Sequence, residues 1–435
     1  MKIKLLMAGL LGLVTATTFA QKKELNNAQD EYNSYDVAKG TKVAVLAAKA
    51  TTSLNNAKIS IDKASVNEKT ASLPLTYALE GAIYGALAYQ DSIPATAAPL
   101  LTTAQDAIKK AKELDTKGEN KKLLNEADTY LALYYSSLGV KQYQTGKYDV
   151  AYKSFDAYRQ IFPEDTSAVL YTALAAANAG NTDPKFYPVA ITNYKTLLTT
   201  KYSANDKVYK YLTTLYVISK DTADALKTIG EGVAKYPANT ELRELEIRIG
   251  LQAGKESEIL GKIQAAIAND PKNKTLYYYE GLTYSRIADA TDDKASKAKD
   301  DATKTALIKT AVENYGKAVD LYKKAVDINP DYFDANLNLG YCLMRPAIDI
   351  YNVARNLPAN KQKEYEAMRM KADELFDLAK PYLQKAADLD AKSVDALSNL
   401  RNYYRGKYDP AHAADNKAKA DDLKKQIDAL PAAKK

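Results

Sequence analysis

The stretch from 131 to 165 reads LALYYSSLGVKQYQTGKYDVAYKSFDAYRQIFPED and holds two apolar helical patterns separated by a short polar turn. The second pattern ends at Pro163, and two later prolines, Pro237 and Pro271, lie 34 residues apart. A period of 34 residues accommodates two short helices and two turns, which stack on the next copy. We therefore expect most of the chain between 130 and 408 to be a stack of helical hairpins.

Residue sizes within this stretch fit such a hairpin. Gly139 and Ala151 are small, so the two helix backbones can approach each other where they cross. Tyr148 and Phe155 are expected on the second helix, where they fill the gap between successive hairpins. Gly146 can adopt the left-handed conformation that ends a helix, and the proline after the second helix stops that helix.

These positions resemble the signature of the tetratricopeptide-repeat family. The resemblance implies an all-α fold, namely a right-handed α-solenoid of helical hairpins, and a charged helix near Ala418–Leu430 is expected to cap its C-terminal end. It also implies that the first helix of each unit lines the concave surface. The residues that carry the resemblance are Leu138, Gly139, Gly146, Tyr148, Ala151, Phe155 and Pro163.

The repeat frame also predicts how the chain is organised. We expect a signal peptide at 1–20, divergent helical hairpins at 21–130, regular repeats at 131–273, repeats with long helical insertions at 274–408, and a capping helix with a polar tail at 409–435.

Three units are longer than the period. The distance from Pro271 to Pro330 implies about 25 inserted residues, at about 285–312, and the next unit has about 27 more, at about 345–372. About six extra residues fall at Asn181–Pro188, which is rich in Asp, Pro and Asn and therefore reads as a turn. We expect the two long insertions to lengthen helices on one side of the stack.

The N-terminal segment differs from the repeats. It begins with two lysines, continues with an apolar run of about ten residues, and ends in small residues before Gln21. This order is typical of a secretory signal, cleaved here between Ala20 and Gln21, and the run is shorter than the roughly 20 apolar residues of a membrane-spanning helix. No cysteine follows the cleavage site, so we expect no lipid anchor. The mature chain is predicted to be periplasmic or secreted, without a membrane span.

Charge gives no sign of a nucleic-acid partner. The chain has a net charge of +7, from 61 basic and 54 acidic residues. Lysines alternate with acidic residues, as in Asp292–Asp301, and such alternation is typical of a solvated helix face or a flexible insertion. We therefore expect a protein or peptide partner rather than nucleic acid.

Few residues offer catalytic or metal-binding chemistry. Cys342, the single cysteine, is expected to pack as a small apolar side chain, with a reactive thiol as the alternative. His412, the single histidine, cannot anchor a zinc site alone, and the repeat frame places it far from Cys342. We predict no enzyme activity and no catalytic, cofactor-binding or metal-binding residue. A glycosidase-type carboxylate pair stays open, since spacing singles out none among so many acids.

Tyrosine is unusually abundant, with 34 Tyr against 6 Phe and no Trp. Core positions of the frame hold Tyr135, Tyr148, Tyr209, Tyr216, Tyr284 and Tyr322. The resemblance implies that another set, aromatic and basic, faces the concave surface and binds the partner. These residues are Tyr143, Tyr171, Lys207, Lys210, Arg248, Tyr278 and Tyr341. The alternative is that they are scattered surface residues or are packed against the insertions.

Two short stretches resemble an acceptor for periplasmic O-glycosylation in the Bacteroidetes. Asp91-Ser92-Ile93 and Asp221-Thr222-Ala223 each place a hydroxyl between an acidic and an apolar residue. Ser92 and Thr222 are therefore candidate acceptors, and chance is the alternative because three-residue matches are frequent.

Three functions fit these observations. The first is an exported scaffold that holds a protein or peptide in its concave groove. The second is a structural adaptor or assembly component of the cell envelope, whose contacts are made by the ends or insertions. The third is a binder of a glycan or another small ligand in an aromatic groove.

Overall fold

The computed structural model describes residues 22–41 and 43–431. The predicted cleavage site at Ala20 and Gln21 lies outside these residues. Every regular element in the described part is a helix, which confirms the all-α prediction. Contacts divide the chain into two compact units, unit 1 up to Ser219 and unit 2 from Lys220. This boundary falls within the predicted regular repeats.

Unit 1 forms four helical hairpins and one further helix. Its α-helices, in order, are α1 (Lys23–Ala38), α2 (Ala44–Ala64), α3 (Pro74–Gln90), α4 (Pro94–Leu114), α5 (Lys121–Gln144), α6 (Tyr148–Ile161), α7 (Thr166–Gly180), α8 (Tyr187–Leu198) and α9 (Asn205–Ile218). Each odd-numbered helix up to α7 packs on the helix that follows it. The short 3-10 helix Pro184–Phe186 lies in the predicted extra turn.

Unit 2 begins with one helix and continues with four hairpins. Its α-helices are α10 (Thr222–Lys235), α11 (Thr240–Gln252), α12 (Glu256–Asn269), α13 (Lys274–Lys297), α14 (Asp301–Ile328), α15 (Phe333–Arg355), α16 (Gln362–Leu389), α17 (Val394–Gly406) and α18 (Ala413–Asp428). Consecutive helices from α11 to α18 pack as hairpins. Helix α18 packs on α17 and begins five residues before the predicted capping helix.

Glycine ends the first helix in two regular hairpins. Gly146 and Gly254 have φ angles of +75° and +69°, a left-handed conformation that side chains with a Cβ atom disfavour. The amide after each glycine reaches back to a carbonyl of the last turn, at 2.9 Å from Lys147 to Gln142 in the first case. These bonds satisfy carbonyl groups that a helix end leaves without partners. The predicted role of Gly146 is confirmed.

A second set of glycines holds the hairpins together. In six hairpins, a glycine on the first helix faces a large side chain on the second, and a Cβ atom on that glycine would collide with it. The pairs are Gly81 with Ile108, Gly139 with Phe155, Gly180 with Tyr187, Gly250 with Ile259, Gly281 with Tyr322, and Gly340 with Leu383. The expected close approach at Gly139 is therefore one case of a contact that recurs along the chain.

The predicted core tyrosines divide into two groups by burial. Tyr209, Tyr216 and Tyr322 are buried. Tyr135, Tyr148 and Tyr284 are only partly buried, and the Tyr135 hydroxyl accepts a hydrogen bond from Gln105 at 3.0 Å. Such rings bury their carbon surface while the hydroxyl reaches a polar partner.

The two long insertions are helical and extend both helices of their hairpins. Helices α13 to α16 have 24, 28, 23 and 28 residues. The Arg345 guanidinium on α15 lies 3.0 Å from the Asp292 carboxylate on α13 and 5.7 Å from the Tyr315 ring centroid on α14. It also donates to the Tyr341 hydroxyl at 3.3 Å. These contacts of Arg345 therefore connect the extended part of the α13–α14 hairpin to α15 of the next hairpin.

The extended part of α16 contacts the C-terminal end of α17. Arg369 on α16 is buried, and its Nη2 atom donates to the Gly406 carbonyl oxygen at 2.8 Å. Its guanidinium lies 4.3 Å from the Tyr351 ring centroid and 5.0 Å from that of Tyr408. A planar guanidinium can stack on aromatic rings and bond a carbonyl at the same time. We call Arg369, Tyr351, Tyr408 and Gly406 the arginine clamp.

The glycine contacts lead to the first testable prediction. Gly281→Ala places a methyl group 2.9 Å from the Tyr322 ring, so we expect the free energy of unfolding to fall by about 1–3 kcal/mol. Gly316→Ala in α14 of the same hairpin meets nothing within 4 Å and should raise stability by about 0.5–1 kcal/mol. Urea unfolding followed by far-UV circular dichroism measures both. Equal effects of the two changes would contradict the role of the contact.

The arginine clamp leads to the second prediction. Arg369→Lys keeps the charge but loses the planar fork, so we expect a loss of about 2 kcal/mol in the stability of unit 2. Arg355→Lys, at an exposed position near the end of α15, is the matched control and should stay within about 0.5 kcal/mol of the original protein. Hydrogen exchange of the α17 amides measures the local effect. Unchanged α17 protection in Arg369→Lys would show that the clamp does not hold this helix.

Candidate functional site

Exposed large apolar side chains in the second half of unit 1 lie on particular helices, whereas α2 and α4 in the first half also carry some. Among described residues 121–219, every exposed large apolar side chain is on a first helix of a hairpin or on α9, and none is on α6 or α8. We call this set the first-helix face. It consists of Leu133, Val140, Tyr171, Tyr211, Val217 and Ile218.

Side-chain contacts connect neighbouring parts of this face. Asn178 on α7 donates a hydrogen bond to the Tyr143 hydroxyl on α5 at 2.9 Å. The Tyr143 pKa is raised, mainly by burial and then by the nearby Tyr148 and Tyr211 hydroxyls. Tyr211 on α9 also packs on the Tyr194 ring, at a centroid distance of 5.7 Å. Helices α5, α7 and α9 therefore present side chains to a common region.

The four predicted partner-binding residues of unit 1 differ in exposure. Tyr171, Lys207 and Lys210 are exposed, and the Tyr171 ring also packs on Phe155, at 5.3 Å between centroids. Tyr143 is half-buried, and its ring lies 5.0 Å from that of Tyr148. Three of the four can thus be reached from solvent, whereas the Tyr143 ring packs against that of Tyr148.

The other three predicted residues lie in unit 2. Arg248 is exposed on α11 and lowers the pKa of Glu244, although burial raises that pKa on balance. Tyr278 is half-buried among three other tyrosine rings, and burial raises its pKa to about 12. Tyr341 is half-buried and accepts the hydrogen bond from Arg345. Two of the three therefore take part in internal packing.

Sequence reasoning did not identify the apolar part of the first-helix face. On α9, Val208, Tyr209, Leu212, Leu215 and Tyr216 form the buried stripe, while Tyr211, Val217 and Ile218 form a second, exposed one. The buried stripe has helical spacing, as do Tyr211 and Ile218, which are seven residues apart, and Val217 adjoins Ile218. The sequence of α9 therefore did contain a signal for this face, because it has more apolar residues than one buried helix face requires.

The two candidate glycosylation sites are exposed. Ser92 lies in the connection between α3 and α4, and Thr222 is the first residue of α10. The preceding aspartates each accept a hydrogen bond from a nearby backbone amide, at 2.8 Å for Asp91 and 3.1 Å for Asp221.

The single cysteine and the single histidine occupy different environments. Cys342 is buried in α15, where its sulfur lies 3.9 Å from the Ser285 hydroxyl, and burial raises its pKa to about 12. His412 is exposed, and its Nδ1 atom lies 2.7 Å from an Asp409 carboxylate oxygen. Residues 22–41 and 43–431 contain no cluster of three or more His, Cys, Asp or Glu that could hold a metal ion. Within the same ranges, no helix combines the length and apolar character needed to cross a membrane.

Comparison with known families gives one match. A family model described as TPR repeat matches residues 308–345, which span the C-terminal part of α14, the following turn and the N-terminal part of α15. The matched residues lie among the units with long insertions, whereas the quoted stretch 131–165 carried the resemblance in the sequence. No curated protein matches the chain.

Several solved structures of helical-repeat proteins are similar to the chain. YrrB, described as a TPR protein with an unusual peptide-binding site, is 19% identical over 53% of this chain and 95% of its own, with a TM-score of 0.33. The C-terminal part of a TPR repeat-containing protein from Cytophaga hutchinsonii is 14% identical over 69% and 96%, with a TM-score of 0.43. A thermophilic TPR protein of Thermus thermophilus is 17% identical over 51% and 97%, with a TM-score of 0.31. The family match shows a TPR repeat at residues 308–345, and the helical hairpins of the described residues agree with this repeat type.

Proposed function

We propose that this chain is a non-enzymatic scaffold that binds a protein or peptide partner through the first-helix face of unit 1. The observation that carries the proposal is the confinement of exposed large apolar side chains to α5, α7 and α9 within residues 121–219. Exposed apolar side chains gathered on one face mark interaction sites more often than scattered ones do. The match to the TPR repeat model supports the same class of function.

The composition of the face favours a polypeptide over a glycan. It combines two tyrosine rings with four aliphatic side chains, and Lys207 and Lys210 lie on α9 beside them. Tyrosine is enriched at the residues that dominate protein–protein binding energies. A sugar ring would need hydrogen-bonding groups around its rim, whereas most side chains of this face are aliphatic.

The adaptor alternative places the contacts on the insertions instead. Exposed apolar side chains do occur there, with Ile308 and Val312 on α14 as examples. Val353 on α15 and Met370 on α16 are exposed in the second insertion as well. The first-helix face gathers six such side chains, against four on the two insertions, and two of the six are tyrosines, which are enriched at binding hot spots.

Export is part of the proposal and rests on the N-terminal sequence. We expect the chain to be cleaved after Ala20 and to act in the periplasm or outside the cell. Intact-mass measurement of the protein from its native cells should give a chain that begins at Gln21. A mass that still includes residues 1–20 would contradict export by this route.

Site-specific photo-crosslinking tests the binding face. Leu133 on the first-helix face and Leu114 at the end of α4 are each 40% exposed, so they form a matched pair. We would replace each by p-benzoylphenylalanine, and Val217 and Val312 likewise, and irradiate cells that naturally make the protein. Adducts of one common mass are expected from positions 133 and 217 and not from position 114.

The remaining outcomes each contradict the proposal. Adducts from position 312 alone would favour the adaptor function, with its contacts on the insertions. Equal adducts from 114 and 133 would show that crosslinking reports exposure rather than a binding face. An absence of adducts from both 133 and 217 would mean that no partner covers this face under the conditions used.

A further inference from the structure

A cavity of about 470 Å³ lies within unit 1, between α1, α2, α3 and α5. A volume in this range is typical of sites that hold a small organic group. We call it the tyrosine cavity because three tyrosines line it. The lining residues that matter here are Tyr35, Tyr89, Tyr130, Lys39, Gln90 and Ala47.

Alanines create the space. Ala38 on α1 and Ala47 and Ala50 on α2 all line the cavity. Tyr89 and Leu133 also line it and are partly exposed, so the cavity can be reached from solvent. Most of the wall is therefore carbon, from methyl groups, one leucine and the aromatic rings.

Four polar side chains of the cavity are hydrogen-bonded to one another, and Thr51, Glu126 and Thr129 also line it. Gln90 donates to the Tyr35 hydroxyl at 3.0 Å, and Lys39 donates to the Tyr130 hydroxyl at 3.0 Å. The Tyr130 hydroxyl lies 3.4 Å from that of Tyr35 and donates to it. These contacts fix the four groups relative to one another before any guest arrives. A glutamine amide can make four hydrogen bonds, and the bond to Tyr35 uses one of them.

The charge states of Tyr35 and Lys39 are fixed near neutral pH. Burial raises the pKa of Tyr35, so its hydroxyl stays protonated. Burial alone would lower the pKa of Lys39. The hydrogen bonds with Asp36 and Tyr130 raise the pKa by more than burial lowers it, so the ammonium group stays charged. The cavity thus offers stable hydrogen-bond donors beside an apolar wall.

We propose that the tyrosine cavity binds an aromatic ring that carries one hydrogen-bonding group. The ring would extend the existing pair of Tyr89 and Tyr130, whose centroids are 6.3 Å apart, within the range of favourable aromatic contacts. The polar tip would meet the cluster around Gln90 and Lys39. A sugar fits less well, because its ring carries hydroxyls on all sides while much of this wall is alanine, leucine and aromatic carbon.

Such a ring can come from a free phenolic compound or from a tyrosine side chain of a peptide. The chemistry is the same, so the test uses p-cresol, toluene and the tripeptide Gly-Tyr-Gly, with maltose as the sugar. Saturation-transfer NMR and titration calorimetry on the chain from Gln21 measure binding. We expect p-cresol to bind at least about fivefold more tightly than toluene, which lacks the hydroxyl, a difference of roughly 1 kcal/mol.

Two neighbouring alanines on α2 provide the matched variants. Ala47 lines the cavity and Ala48 does not, and both are exposed, so phenylalanine at either position should leave the fold intact. Ala47→Phe fills the cavity and should weaken p-cresol binding at least about tenfold, whereas Ala48→Phe should leave it unchanged. Circular dichroism melting curves of both variants check that the fold is retained.

The outcomes separate the sources and decide the proposal. Tighter binding of Gly-Tyr-Gly than of p-cresol assigns the ring to a peptide, and the reverse order assigns it to a free compound. The proposal is overturned if Ala47→Phe and Ala48→Phe behave alike, if toluene equals p-cresol, or if only maltose binds. Leu133 belongs both to the cavity wall and to the first-helix face, whereas Val217 on α9 does not line the cavity. Crosslinking from Val217 therefore tests the partner proposal separately from this one.

Discussion

The contact between a glycine of the first helix and a large side chain of the second controls the hairpins of this chain. It recurs in six hairpins, with Phe155, Tyr322 and Leu383 among the large partners. Because the glycine has no side chain, the second helix can insert its own side chain up to the first backbone. This packing turns one side of the first helix toward the second helix. The opposite side needs no packing partner within the hairpin, and among residues 121–219 the exposed large apolar side chains lie on α5, α7 and α9.

Two hairpins lack this contact and use other devices. In α1 and α2, alanines and tyrosines take its place and leave the tyrosine cavity. Around α17, Gly406 faces Phe376 of the preceding hairpin, and the buried Arg369 bonds the last carbonyl of the helix. A buried guanidinium is costly unless its surroundings compensate for lost water. Two aromatic faces and one carbonyl supply part of that compensation, which ties the second insertion to the end of α17.

The sequence pattern predicted features that depend on neighbouring residues, and it missed contacts between residues that are far apart in the chain. Gly146 and Phe155 were identified because the turn and the hairpin core restrict which residue types fit. The insertions were located because they interrupt a period. The frame could not show that Tyr278 would be covered, since the covering ring of Tyr332 lies beyond the next helix. The same holds for Arg369, which meets Gly406 across 37 residues. Exposure of Tyr211 was missed because the concave positions carried over from the repeat frame fall on Lys207 and Lys210 and not on Tyr211.

The excess of tyrosine over phenylalanine follows from how the helices contact one another. The Tyr32 hydroxyl donates to Glu126 on α5 at 3.0 Å, Tyr84 to Asp62 on α2 at 2.6 Å, and Tyr403 to Asp377 on α16 at 3.0 Å. Phenylalanine would fill the same space but remove the hydrogen bond between the two helices, and Asp62 and Asp377 would keep only their bonds from Lys58 and Lys407. Each of these hydrogen bonds also requires one relative position of its two helices, whereas apolar contacts between alanine-rich helices allow the helices to slide along each other. Tyrosine therefore sets the register between helices that alanine and glycine allow to come close, and in the proposed ring site the hydroxyls of Tyr35 and Tyr130 supply polar groups that phenylalanine would lack.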